Sequence, residues 1–443
     1  ERDRLFMIMA SVLSILLLMS RPLLWNNRLP KPVMPLYAAA FSLLLSCNQP
    51  VTLVSTERGF PTDSSVYNDL LNNADLSMRQ YFSDMSGSKL TLQFDIYGPV
   101  TVSKAWSYYG ENDLSGNDMH PGELAAESIR LMISNNASTD FSIYDNNSDG
   151  EVDTVIIIHE GPGEEYLSPE ETIWSHQWDL ASAQYYGDGP GPVSTDGVSF
   201  NSYIEVPEYT ESRGDSSVGV YAHEFGHVLG LPDLYDTSGE TNGAGVWSLM
   251  GSGSWGSDGS GNDPAPLLAW ERYRAGGSSW VTITEISAAQ NDQSIDDIEA
   301  SYTAYKIMLD STAGEEQYLL LEGKTGISDS GWYVPRSVQG IIVTHIHEGV
   351  ISEYELSNTI NAGELRIHGV NIVEADGGND LWDISQTTDD TGNASDLFTT
   401  GESIINALMY DDNTGYSLST APTTDDITAI NTGTTPMTFD YTP

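Results

Sequence analysis

One sixteen-residue segment leaves this chain few choices: Tyr221-Ala-His-Glu-Phe-Gly-His-Val-Leu-Gly-Leu-Pro-Asp-Leu-Tyr-Asp236. Val218 to Leu229 reads as a helix. Gly230 can take the left-handed conformation that ends a helix, and Pro232 stops it from resuming. The chain must turn back at once. Within the helix His223 and His227 stand four residues apart, so their imidazoles lie one turn apart on nearly one face. Ala222, Phe225 and Leu229 occupy the opposite face and are expected in a core.

Two imidazoles at this spacing can share one Zn²⁺. Glu224 lies about a quarter-turn from His223 and can reach water beside the metal without competing for it. After the reversal Asp233 is the expected third ligand, with the carboxylate of Asp236 a close competitor. Two neutral imidazoles and one carboxylate leave a zinc ion open to water, which is the arrangement of a catalytic site. Glu224 is then the expected general base for hydrolysis of a peptide bond. His-Glu-x-x-His alone recurs by chance on unrelated helices. Gly230 and Asp233, three and six residues after His227, reduce that reading sharply. Downstream, Gly245-Val-Trp-Ser-Leu-Met-Gly-Ser-Gly253 places Met250 in a tight turn, the Met-turn that metzincin peptidases carry beneath the metal.

Composition narrows the partners. The 443 residues include 64 acidic and 17 basic side chains, a formal charge of −47. Nucleic acid is excluded as a partner because phosphate neutralisation needs clustered Lys and Arg. An anionic membrane surface is disfavoured for the same reason. Apolar residues make up 39% of the chain, enough for sizeable cores. Cys47 is the single cysteine, so no intrachain disulfide framework exists. No nucleophile elbow, P-loop or dinucleotide fingerprint is present, which leaves serine hydrolases and nucleotide enzymes without support.

The basic residues Arg2, Arg4, Arg21, Arg28 and Lys31 all precede Cys47 and flank two apolar runs, Leu5–Met19 and Val33–Ser46. A basic start followed by apolar residues reads as an export leader. The ending Leu44-Leu45-Ser46-Cys47 resembles a bacterial lipobox. Residues 1–47 are therefore expected to be a leader that places the chain outside the cell or on its surface, with a lipid anchor on Cys47. Neither run reaches the ~18–20 apolar residues of a bilayer-spanning helix.

Residues 48–63 read as a tether, and residues 64–276 as the catalytic domain. Gly276-Gly277-Ser278-Ser279 reads as a linker, and residues 280–443 as a β-rich domain. Helices are expected over 65–83, capped by Asp63 and Ser64, and over 122–134. Leu90, Leu92 and Phe94 alternate like a strand ending at Gly98-Pro99. The β-branched run Val152–His159 reads as a buried central strand. Strands are expected at 280–286, 304–309, 317–322, 340–346 and 370–374. The fold class is α+β: a mixed sheet with an active-site helix, then a sandwich-like β-region.

Asp145, Asn147, Asp149 and Asp153, with the backbone carbonyl of Glu151, fit an oxygen-rich Ca²⁺ loop, although Ile156 replaces the closing bidentate Glu of an EF-hand. The other histidines look less active. His176, between Trp174 and Trp178, reads as a packed residue, with cleft contact as the alternative. Tyr235 reads as helix-end packing, with an oxyanion donor as the alternative. His345 and His347 share a strand face and read as surface residues.

His-Glu-Phe-Gly-His-Val-Leu-Gly-Leu-Pro-Asp-Leu-Tyr-Asp followed by Trp-Ser-Leu-Met-Gly resembles the immune inhibitor A family of secreted metallopeptidases. Tyr144–Asp153, Ile173–His176, Tyr318–Glu322, Gly340–His347 and Glu374–Gly377 extend the likeness over roughly residues 60–440. The resemblance implies a zinc-dependent endopeptidase acting on proteins or peptides outside the cell. It implies His223, His227 and Asp233 as metal ligands and Glu224 as general base. His347 departs from the pattern, standing where an aspartate is expected. The competing reading is a calcium-stabilised surface adhesin that inherited the fold and lost activity.

Overall fold

The computed structural model describes residues 47–443 apart from 57–62, 74, 115, 167–171, 210–216, 326–331, 333–338, 364–367, 378–380, 383–390, 405–409, 412–416 and 419–424. Both apolar runs of the expected leader lie outside the described residues.

The first sheet has five strands: β1 (Cys47–Ser55), β2 (Leu92–Thr101), β3 (Val155–Pro162), β4 (His176–Asp179) and β5 (Ser202–Tyr209), in the order β2-β1-β3-β5-β4. β1, β2, β3 and β5 run parallel, and β4 closes one edge antiparallel to β5. The run Val155-Ile156-Ile157-Ile158 lies in the middle of this sheet and alternates between its faces. Ile156 and Ile158 enter one core while Val155 and Ile157 enter another, as a strand buried on both sides requires. Helix α1 (Met78–Met85) and helix α2 (Pro121–Asn135) cover opposite faces. Helix α3 (Val218–Val228) lies on the α1 side, with Ala222, Phe225 and Leu229 in the core.

Three expectations in this half are corrected. Residues 48–55 are not a tether but most of β1, held between β2 and β3. Cys47 is 0% exposed in the core, and burial, with Asp153 nearby, pushes its thiol up to about 12. The helix expected over 65–83 is broken into Ser64–Asn68, a wider turn at Asp69–Asn73, and α1. Asn72 causes part of this: its buried amide turns to β2, donating to Phe94 O and accepting from Phe94 N at 2.9 Å each. Leu76 at φ 65° then ends the run and Ser77 caps α1. Strand β2 continues through Gly98-Pro99. It is an edge strand, where the donor that proline lacks is not required.

The C-terminal half contains β6 (Thr282–Glu285), β7 (Gln290–Ile295), β8 (Thr303–Asp310), β9 (Gln317–Thr325), β10 (Gln339–His347), β11 (Val370–Ile372), β12 (Asp426–Asn431) and β13 (Met437–Thr442). A five-stranded sheet runs β11-β10-β9-β8-β6 and a three-stranded sheet runs β7-β13-β12.

Residues 276–279 are not a linker. Helix α4 (Ala269–Gly276) passes directly into a 3-10 turn at Gly277–Ser279, and Trp280 and Val281 are buried in the same core as α3. Leu320, Ile342 and Ile346 extend that core from the larger C-terminal sheet, whereas Leu319, Leu321, Ile341 and Val343 face the smaller sheet across a third core. The larger sheet therefore serves both halves. His345 and His347, expected at the surface, are each 1% exposed. No helix among the described residues is long and apolar enough to cross a membrane.

Candidate active site

Ser217 stands at the N-cap of α3, and the helix closes where expected, with Gly230 at φ 84°. The Nδ1 of His223 donates to Leu249 O at 3.0 Å, and the Nδ1 of His227 donates to Leu231 O at 2.8 Å. Because a carbonyl oxygen can only accept, the neutral form of each ring keeps its lone pair on Nε2. Both Nε2 atoms face one oxygen: Asp233 Oδ1 is 3.0 Å from His223 and 3.3 Å from His227. The two rings stand at 89° with centroids 5.0 Å apart.

The two candidate carboxylates are placed differently, with Asp233 facing the imidazoles. Asp236 instead binds its own loop, accepting from the backbone of Ser238, Glu240 and Thr241 and from the hydroxyls of Ser238 and Thr241.

The donor set fits a metal ion. Among the described residues, His223, His227 and Asp233 form a group whose ligand atoms lie within 4.8 Å of one another. His227 Nε2, Asp233 Oδ1 and Glu224 Oε2 are buried side-chain atoms with no hydrogen-bond partner, an expensive arrangement unless something binds there. Burial opposes ionisation of Asp233, but the facing imidazoles outweigh it and hold the carboxyl well below the usual range. Burial likewise opposes protonation of His223 and His227, and Asp233 outweighs it in the other direction. Glu224 is pushed up to about 8, chiefly by burial. It borders a cleft of about 370 Å³ lined also by Glu165, Trp174, Val220, Tyr235 and Trp255.

The turn below α3 is built around Met250. Met250 O accepts from Leu234 N at 2.8 Å and Tyr235 N at 3.2 Å, tying this turn to the segment that carries Asp233. Met250 N donates to Ser248 Oγ, and Ser248 Oγ donates to the fully buried Glu271. Glu271 was not legible as a site residue. Asn358 was not either: its side chain donates to Asp233 Oδ2 and accepts from Asp233 N. Tyr235 lines the cleft and stacks near His223 at 6.1 Å. His176 is packed: its Nδ1 bonds Trp174 O and burial holds it down to about 4.

At the expected calcium loop, Asp145 accepts from the backbone of Asp149 and Gly150, and Asp149 Oδ1 accepts from Glu151 N. Asn147 Nδ2 donates to Asp149 Oδ2. Asp153 turns away to Asn146 and Gln49. A second group of ligand-type atoms, His120, Glu123 and Asp188, sits at the start of α2. There Asp188 accepts from the backbone of Gly122 and Glu123.

A mostly parallel sheet, a helix presenting two imidazoles and a glutamate, and a carboxylate brought back by the following turn define a metallopeptidase domain. Residues 62–281 match the family model described as immune inhibitor A peptidase M6, catalytic domain. That segment, just under half of the chain, is an immune inhibitor A-like peptidase domain. The chain is 33% identical over 233 residues to the pre-pro-metalloprotease PrtV of Vibrio cholerae serotype O1 (strain ATCC 39315 / El Tor Inaba N16961). That match covers 48% of this chain and 25% of the relative. Immune inhibitor A of Bacillus thuringiensis subsp. alesti is 28% identical over 238 residues, covering 47% of this chain and 34% of the relative. The chain thus spans a quarter to a third of the length of these curated relatives.

Proposed function

We propose that this chain is an exported zinc-dependent endopeptidase that hydrolyses peptide bonds of extracellular proteins. The observation that carries the reading is the convergence of His223 Nε2, His227 Nε2 and Asp233 Oδ1 beside the carboxylate of Glu224 at a cleft. His223, His227 and Asp233 would hold the ion, each imidazole fixed in orientation by its Nδ1 hydrogen bond. Zinc bound there supplies Lewis-acid polarisation of a carbonyl and a nucleophile from water near neutral pH. Glu224 takes the proton from the attacking water and passes it to the leaving amine. Its raised pKa, set first by burial, suits a group that must hold a proton and release it.

Four parallel strands with an antiparallel edge, the helix of paired histidines and the Met250 turn support a metzincin-like assignment for the catalytic half. The two C-terminal sheets that share a core support the sandwich-like description of the rest. Calcium enters the reading as a structural ion at Asp145, Asn147, Asp149, Glu151 and Asp153. The Asp145 and Asp149 oxygens that close the turn keep further lone pairs for a cation. A rise in melting temperature on adding calcium supports that part, and an unchanged melt removes it. The main test is casein cleavage by the purified chain, with and without a chelator. Chelator-sensitive internal cleavage supports the proposal. An intact casein band beside a zinc-loaded chain favours the binding-module reading.

A further inference from the structure

Asp233 is held from outside the segment that the family model matches. Asn358 follows a 3-10 turn at Glu355–Ser357, 125 residues along the chain, and closes a two-point clasp on it. The Asn358 Nδ2 donates to Asp233 Oδ2, while its Oδ1 accepts from Asp233 N at 2.7 Å. The residues on either side are held too, on one side by Arg274 of α4 and on the other by Asn361. Arg274 donates to Gly230 O at 3.2 Å and pairs with Glu355 at 2.6 Å. Asn361 Nδ2 donates to Leu234 O at 3.1 Å. The turn after α3 is thus pinned before, at and after Asp233.

We propose that Asn358 is a positioning residue for the third metal ligand: it engages Asp233 Oδ2 and so presents Oδ1 alone to the two imidazoles. This rests on the zinc reading given above. A carboxylate with two unrestrained oxygens can rotate or bind through both; one whose second oxygen and backbone amide are both fixed cannot. A neutral amide does this without adding charge. Outer partners of this kind set ligand orientation and typically contribute 10–100-fold to metal affinity. The C-terminal region is accordingly part of the metal site rather than an appended module.

The test uses the full chain and compares wild type with Asn358→Asp. Asn358 has φ 54°, a conformation that Asp tolerates nearly as well as Asn. The substitution keeps the acceptor for Asp233 N, replaces the donor to Oδ2 by an oxygen and sets a second carboxylate beside Asp233. Zinc affinity is measured by chelator competition, the visible spectrum is recorded after cobalt substitution, and the metal-stripped protein is melted as a control. The proposal predicts zinc affinity at least 10-fold weaker and an altered cobalt spectrum, with a metal-stripped melt close to wild type. Unchanged affinity and spectrum would overturn it, as would an affinity loss matched by collapse of the metal-stripped fold. If Asn358→Asp does not fold, Asn358→Gly tolerates the same backbone and is judged by the same criteria. Failure of the underlying reading looks different, since wild type itself then takes up no zinc.

Discussion

Gly226 on α3 and Met250 in the turn beneath it approach so closely that a β-carbon on the glycine would lie 2.6 Å from the methionine sulfur. The glycine between the two histidine-bearing turns is thus a packing requirement. Gly226→Ala must shift the end of the buried Met250 side chain. An overpacked core of this kind costs about 1–3 kcal/mol. Thermal melts should show the loss, and the same substitution in a Met250→Ala background should cost clearly less. Equal losses in both backgrounds would show that the strain lies elsewhere.

Glu224→Gln preserves size and removes the proton acceptor. Proteolysis should fall by about 10²–10⁴-fold while zinc content stays at the wild-type level. Activity within a few-fold of wild type would remove Glu224 from the role of base.

The two acidic side chains after the helix should separate cleanly. Asp233→Ala should lose metal in elemental analysis, because its Oδ1 faces both imidazoles. Asp236→Ala should keep the metal and lower the melting temperature, because Asp236 closes its own loop. The reverse pattern would assign the third ligand to Asp236.

His345 supplies a test of pH dependence away from the site. It is 1% exposed, bonded to Gln317, and held down to about 3 by burial and then by His347. Its folded pKa is below the unfolded value of 6.5, so its contribution is fully present above pH 6.5. That contribution is lost as the pH falls toward 3, because only the unfolded chain takes up the proton readily. By linkage the loss reaches about 3 kcal/mol at pH 4.5. His345→Asn cannot take up this proton, so its deficit against wild type should shrink between pH 7.5 and 4.5. A deficit that stays constant would contradict the assignment.

The site was legible where local chemistry fixes geometry. Two histidines on one helical turn, Gly230 at its end and a carboxylate just beyond can be read without knowing the rest of the fold. Asn358 could not, because a polar residue in a polar turn carries no mark of a partner 125 positions away. That Cys47 begins a buried strand was hidden, because an apolar run ending in cysteine looks the same before a cleavage site as at the start of such a strand. His345 and His347 were misplaced for a related reason: alternation along a strand separates its faces, but not which of them is covered by a second core. The glycines at 276 and 277 suggested a linker, whereas Trp280 and Val281 immediately after them enter the core shared by both halves.

The most direct measurement is the metal content of the purified full chain before and after chelation. The account predicts one zinc ion per chain, removed together with peptide-bond hydrolysis and restored with it when zinc is returned in equal amount. A folded chain that contains no divalent metal, and binds none when zinc is offered in excess, would contradict it.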